Sequence, residues 1–423
     1  EDVARKVLVH SYDQTLAISL QERNAAAELD AQIRFMNRLE SRGKLDRVVE
    51  GLPGDSRLTE MQASGVGLTR PELAVITAYS KLELAEDIVA SKAPEDPFFE
   101  RVLEGYFPEA LGKFDKAMNT HRLRREIVAT VLCNDIVNMC GPTFPERLRA
   151  SAQCDTTALV IGFEAGRRIF RLDEAWDAVS ALDGKIDAEA QMRLYEEIAV
   201  VLRRQTFWLA RRVARQDMGG VNELIQAYRQ TADDLRDTGG SVLSRFEQAR
   251  LKDRKDAFAE VGAPRDLAKT IALLRPMVAA SDIADLAREA KWPAPAMARL
   301  YHQVGAAFDL DRLRAAAGSL ASADHYERLA VRRIVEDFMA EQVVITRAVA
   351  KGAKSEVGES EKTAEAAVDA WVGDRLGIAE GVRRAVDEIE QSSHGWSFAK
   401  LTIANVAVRD FAAAAAQSMA SRR

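Results

Sequence analysis

Residues 68–90 read LTRPELAVITAYSKLELAEDIVA, and this stretch decides the fold class. Thr69 stands where a helix needs an acceptor for its first free N–H groups. Pro71 tolerates a first-turn position because no hydrogen bond is owed there, and Glu72, three residues after the threonine, can accept from the Thr69 N–H in return. The predicted helix runs from Arg70 to about Ala90. Leu73, Ile76, Tyr79, Ser80 and Leu84 recur at helical spacing and form its inward face, with Lys81, Glu83 and Asp87 outward.

The same pattern extends in both directions. Gly and Pro number only 24 and 11 among 423 residues, and no alternating β-branched run lies between turn pairs. The expected fold is therefore all-α: a multi-helical array of two helical subdomains with no substantial β-sheet. Residues 1–42 form one long helix or two helices broken near Asn24, followed by a Gly/Pro loop, GLPGDSRL, at 51–58. Pro94, Pro97 and Pro108 punctuate short helices, and a longer helix from Arg122 to Asn138 ends at Gly141 and Pro142. Helices are predicted over 143–152, 156–170, 172–182 and 187–216. The Gly219-Gly220 and Gly239-Gly240 pairs bracket a short one. The second half reads as helices over 241–260, 264–288, 294–307, 309–319, 323–350, 362–391 and 397–420. The domain boundary is placed near Met218, giving 1–217 and 218–423, with KGAKSEVGESEK at 351–362 expected as a mobile loop.

Composition narrows the function classes. With 29% charged residues, a net charge of −6 and no long basic block, nucleic acid is not an expected partner. No apolar stretch reaches the roughly 18 residues needed to span a bilayer. The start, EDVARKVLVH, lacks the apolar core and cleavage site of a signal peptide. A cytoplasmic chain without membrane contact is expected, and the uncapped start at Glu1, with no initiator Met, reads as a segment with sequence upstream. Cys133, Cys140 and Cys154 form no CxxC pair and read as buried reduced thiols.

Reactive constellations are absent from the sequence. GVGLTR at 65–70 has Arg70 where a phosphate-binding loop needs its third glycine, and it joins helix to helix rather than strand to helix. His10, His121, His302, His325 and His394 lack the HExxH spacing of a zinc hydrolase, so surface or local hydrogen-bonding roles are expected for each. No GxSxG elbow marks an activated serine. Asp233-Asp234 and Glu196-Glu197 read as solvated faces. Arg203, Arg204, Arg211, Arg212 and Arg215 surround Phe207 and Trp208, an arrangement expected to turn the aromatics inward with Val201 and Leu202 and pair the arginines with acids. Asn134, Asp135 and Asn138 interrupt an apolar helix; they are expected to form a structural hydrogen-bond network, capping the next helix near Thr143 or meeting a neighbouring domain.

Several blocks carry a family resemblance: LTRPELAVITAYSK at 68–81, Tyr106-Phe107-Pro108, LRREIVATVLCNDIVN at 123–138 with Gly141, Thr143 and Phe144, the Trp-containing helix 198–212 and, more loosely, LYHQVGAAFDLDRL at 300–313. Together they resemble the C-terminal part of the large bacterial NAD-specific glutamate dehydrogenases, departing from the pattern at Met139, Cys140 and Pro142. The resemblance implies that a substrate domain and a Rossmann NAD domain lie upstream and oxidatively deaminate L-glutamate to 2-oxoglutarate and ammonia. It assigns no catalytic, cofactor-binding or metal-binding residue to this region, whose role would be to pack on those upstream catalytic domains, steady their motion or contribute to a homo-oligomer. The other reading is a free-standing helical scaffold or adaptor.

Overall fold

The computed structural model describes residues 2–215, 218–320, 325–373, 376–391 and 395–420. These residues are helical with irregular connections, and no strand occurs among them, as the residue pattern predicts. The chain divides into two compact units, Glu1–Gln226 and Ala227–Arg423.

In the first unit, α1 (Asp2–Arg23) and α2 (Ala25–Ser41) are separated at Asn24. α3 (Asp55–Ser64) and α4 (Arg70–Ala90) follow, and α4 starts with the expected capping box: the Glu72 carboxylate accepts from the Thr69 N–H at 2.7 Å. Leu29, Phe35, Met36 and Leu39 of α2, Leu58 and Met61 of α3, and Leu73 and Ile76 of α4 share one buried cluster. The proline-punctuated segment makes 3-10 turns before α5 (Glu100–Tyr106), and a further one precedes α6 (Asp115–Asn119). Then come α7 (Arg124–Cys140), α8 (Phe144–Ala152), α9 (Thr156–Ile169), α10 (Leu172–Ser180) and α11 (Ala188–Ala214). Asp155 caps α9, accepting from the Ala158 N–H at 2.8 Å. α9 is buried on nearly every face, which marks it as the central helix of the unit. Leu159, Val160 and Phe163 are fully buried, each contributing about 1.5–3 kcal/mol.

α12 (Val221–Asp237) spans the division between the units. The second unit continues with α13 (Arg245–Glu260), α14 (Arg265–Leu274), α15 (Ala280–Ala290), α16 (Ala294–Ala307), α17 (Leu310–Ser319), α18 (His325–Lys351), α19 (Glu361–Gly373), α20 (Leu376–Gln391) and α21 (Phe398–Ala420). α16 is this unit's central helix, buried from Ala296 to Gly305 except at Arg299.

Three local expectations need correction. The single helix over 264–288 is broken at Pro276, where a 3-10 turn, Pro276–Ala279, separates α14 from α15; proline lacks the N–H and its ring crowds the preceding turn. Within the helix expected over 362–391, α19 and α20 are described, and residues 374–375 lie outside the described residues. The segment 351–362 contains a 3-10 turn, Ser355–Glu359, whose Gly358 is buried against α16 and whose carbonyl accepts from Arg299. Glu83, assigned outward on α4, is only 6% exposed, because the Arg38 guanidinium of α2 meets it at 2.5 Å and Arg42 at 3.1 Å. That pairing supplies what burial of a carboxylate requires.

Candidate functional site: two buried charge networks

Each central helix carries a deeply buried ionisable side chain that has ionic partners within its own unit. In α9 it is Glu164, 2% exposed. Arg167 and Arg168 lie three and four residues on, so helical spacing returns both guanidiniums to the Glu164 carboxylate, at 3.2 and 2.7 Å. Arg167 also reaches Asp135 of α7 at 2.6 Å and Asp173 of α10 at 2.7 Å, while Arg168 meets Asp173 at 2.9 Å. Burial alone would lower the Arg167 pKa; Glu164, Asp135 and Asp173 together hold it well above the ordinary value. Two guanidiniums thus tie three helices to one buried acid.

The polar trio of α7 is divided by this arrangement. Asp135 belongs to the Arg167 network and does not cap the helix at Thr143. Asn134 donates back to the Thr130 carbonyl at 2.8 Å, and the Asn138 Oδ1 has no hydrogen-bond partner among the described residues. Asp135 does join a side-chain network, but its partner comes from a helix the sequence did not connect to it.

The second network surrounds α16. His302, 3% exposed, faces Glu247 of α13 across 2.8 Å. Ser244, which caps α13, donates its hydroxyl to Asp311 of α17 at 2.9 Å and lies 3.1 Å from Glu247. Arg314, one turn beyond Asp311, pairs with it and donates to Gln342 of α18, whose amide nitrogen donates to the Tyr301 carbonyl at 2.7 Å. His302 therefore has a long-range partner, where a surface or local role was expected. Two signals in the sequence pointed this way: Ser244 and Glu247 have capping-box spacing, and Asp311 and Arg314 are an i, i+3 ion pair. Neither reveals that His302 closes onto them.

Titration of this cluster has a defined sign. Burial lowers the His302 pKa, but the Glu247 carboxylate beside it, with help from Asp311, raises it above the ordinary histidine value. Asp311 is also raised, to about 6, by burial and by Glu247, against the pull of Arg314 and His302. Glu247 moves the other way, to about 2: burial pushes it up, but His302 and Arg314 hold it charged. The stability contributed by raised groups is complete below their unfolded values and is lost as pH rises through the folded ones. That of Glu247 is present above its unfolded value and lost as pH falls through the folded one. Replacing His302→Gln is therefore expected to destabilise the protein more at about pH 6 than at about pH 8.5. Urea midpoints of both forms at the two pH values check this; an equal or larger loss at the higher pH contradicts it.

The Ser244 hydroxyl lies between two carboxylates, Asp311 and Glu247. Burial pushes the thiols up, Cys133 and Cys154 to about 11 and Cys140 to about 12, which suppresses thiolate. GVGLTR is the α3–α4 connection: Gly65 takes φ 67° at the end of α3, and Thr69 begins α4. His10 is exposed, and the His121 Nδ1 accepts from the Leu123 N–H at 3.1 Å. The His325 side chain and His394 lie outside the described residues. No cluster of three metal-ligating side chains occurs among the described residues, and no single helix there is long and apolar enough to cross a membrane.

At least one carboxylate of each adjacent pair is ion-paired. Asp233 meets Arg236 at 2.6 Å, and Glu196 meets Arg23 at 2.6 Å. At the Arg-rich end of α11 the aromatics differ from expectation. Phe207 and Trp208 are half-buried rather than turned fully inward, and Arg211 and Arg212 stack over their rings at 5.4 and 4.8 Å. The inward face is Val201, Leu202, Gln205, Thr206, Leu209 and Ala210. Stacking one turn apart lets each aromatic keep a solvent edge at low cost.

Comparison with known proteins places these features in context. Residues 65–410 match the family model described as glutamate dehydrogenase, C-terminal. The chain is 32% identical over 97% of its length to the NAD-specific glutamate dehydrogenase of Pseudomonas aeruginosa, and 30% identical over 93% to that of Halomonas elongata. It is 26% identical over 93% of its length to that of Mycobacterium tuberculosis. It spans only 24–25% of the length of these relatives.

Proposed function

The chain belongs to the glutamate dehydrogenase C-terminal family, and from that premise we propose that it is the helical, non-catalytic part of a longer NAD-dependent glutamate dehydrogenase. The longer protein oxidises L-glutamate to 2-oxoglutarate and ammonia and reduces NAD. Upstream domains of the same chain hold the NAD and the reacting groups. The present region contributes a stiff helical support that steadies their motion or their assembly into a cytoplasmic homo-oligomer.

The observation that carries this reading is the commitment of the buried ionisable groups. Glu164 and His302, deeply buried on the two central helices, are both held by partners inside their own units. A reacting acid or base must instead have a free atom facing a substrate. These networks contribute order, with the buried charge compensated where it sits.

The test uses the full-length protein. Asp135→Asn and His302→Gln are expected to leave glutamate-dependent NADH formation, per folded enzyme at 25 °C, within about twofold of the unsubstituted protein, while lowering Tm by several degrees. A loss of turnover beyond about a hundredfold with Tm unchanged would overturn the non-catalytic assignment. Absence of any glutamate-dependent NADH formation in the unsubstituted full-length protein would favour the scaffold reading.

A further inference from the structure

The first half of α1 is amphipathic in the inverted sense. Asp2, Lys6 and Asp13 share one face by i, i+4 and i+11 spacing, and all three are half-buried against the body of the unit. Lys6 donates to the carbonyls of Gly105 and Phe107, both at 2.8 Å, at the C-terminal end of α5, where a cation is favoured by the helix dipole. The Asp2 carboxylate accepts from the Glu109 N–H at 3.3 Å. These bonds fix the roll of the helix. They turn its apolar residues outward: Val3, Val7 and Leu8 are 60%, 57% and 71% exposed. The segment that Lys6 clamps also exposes Tyr106, Leu111 and Phe114.

A helix that half-buries Asp2, Lys6 and Asp13 while Arg5, the valines and the leucine face solvent forgoes the burial that normally stabilises an amphipathic helix. The chain spans 24–25% of its relatives, and the matched family model, described as C-terminal, begins at residue 65. α1 thus lies on the side of the match that faces the other three quarters of a protein of that length. We propose that the Val3, Val7 and Leu8 face, with the Tyr106–Phe114 segment, docks on an apolar surface of the region that precedes it in the full-length chain. This inference rests on the reading of the chain as the C-terminal part of a longer enzyme.

The experiment introduces Val7→Cys, Leu8→Cys and, as a control, Val48→Cys into the full-length protein. Val48 is 90% exposed on the turn between α2 and α3. Maleimide labelling is followed peptide by peptide by mass spectrometry. Positions 7 and 8 are expected to label at least about tenfold more slowly than position 48, with the difference abolished in urea. A benzophenone placed at position 8 is expected to cross-link to residues upstream of this region. Labelling at 7 and 8 as fast as at 48 overturns the proposal, and so do cross-links confined to a second copy of residues 1–423. Glutamate-dependent NADH formation is measured on the unsubstituted protein alongside. Its absence removes the enzymatic reading, while labelling and cross-linking still decide whether the face is covered.

Discussion

Arg167→Met is expected to destabilise the first unit by about 3–5 kcal/mol, because it leaves the buried Glu164 carboxylate without the more buried of its two guanidinium partners. Arg167 is the hub of its network, with Asp135, Glu164 and Asp173 all within 3.2 Å. Removing the guanidinium strands a carboxylate 2% exposed in the central helix, with only Arg168 remaining, and Arg168 is itself 41% exposed. A second substitution, Glu164→Gln, is expected to restore much of the loss, since a neutral amide costs far less to bury unpaired than a carboxylate. Urea unfolding at neutral pH measures both steps. A loss below about 1 kcal/mol for Arg167→Met, or no recovery in the double variant, would show that the network is not the compensation described.

Gly162→Ala is expected to cost about 2–3 kcal/mol even though alanine is the better helix former, because the added carbon has no room. A Cβ at position 162 would sit 2.7 Å from the Ala210 backbone nitrogen and 2.9 Å from the Thr206 carbonyl oxygen. Both are atoms of α11 that cannot rotate away. One turn along the same helix, Gly166 offers a control: its Cβ would meet the Gln205 Cβ at 3.5 Å, ordinary contact. There the helix propensity of alanine should prevail, leaving Gly166→Ala neutral or stabilising by up to about 1 kcal/mol. Thermal and urea unfolding of the two variants side by side check the pair. Equal effects at both positions would mean that α9 and α11 can separate without penalty.

Much of the helical layout was legible in the residues. The start of α4 at Arg70 and the ends of α16 at Ala294 and Ala307 follow from caps, prolines and apolar spacing. Where the reading failed locally, the cause was local too: Pro276 was read through because the apolar pattern continues on both sides of it. The candidate site was less legible. Arg167 and Arg168 could be placed beside Glu164 by spacing alone, but that the acid faces inward depends on α7 and α10 delivering Asp135 and Asp173.

Taken alone, the sequence determined which segments are helices, where most of them start and stop, and the family resemblance later found by comparison. Those features rest on interactions within one or two turns, where chemical neighbours along the chain are neighbours in space. Only the tertiary structure decided which charges lie inside. Glu83 with Arg38 and His302 with Glu247 are joined across 45 and 55 residues of chain, and a charged side chain is buried stably only when its partner has already been brought to it.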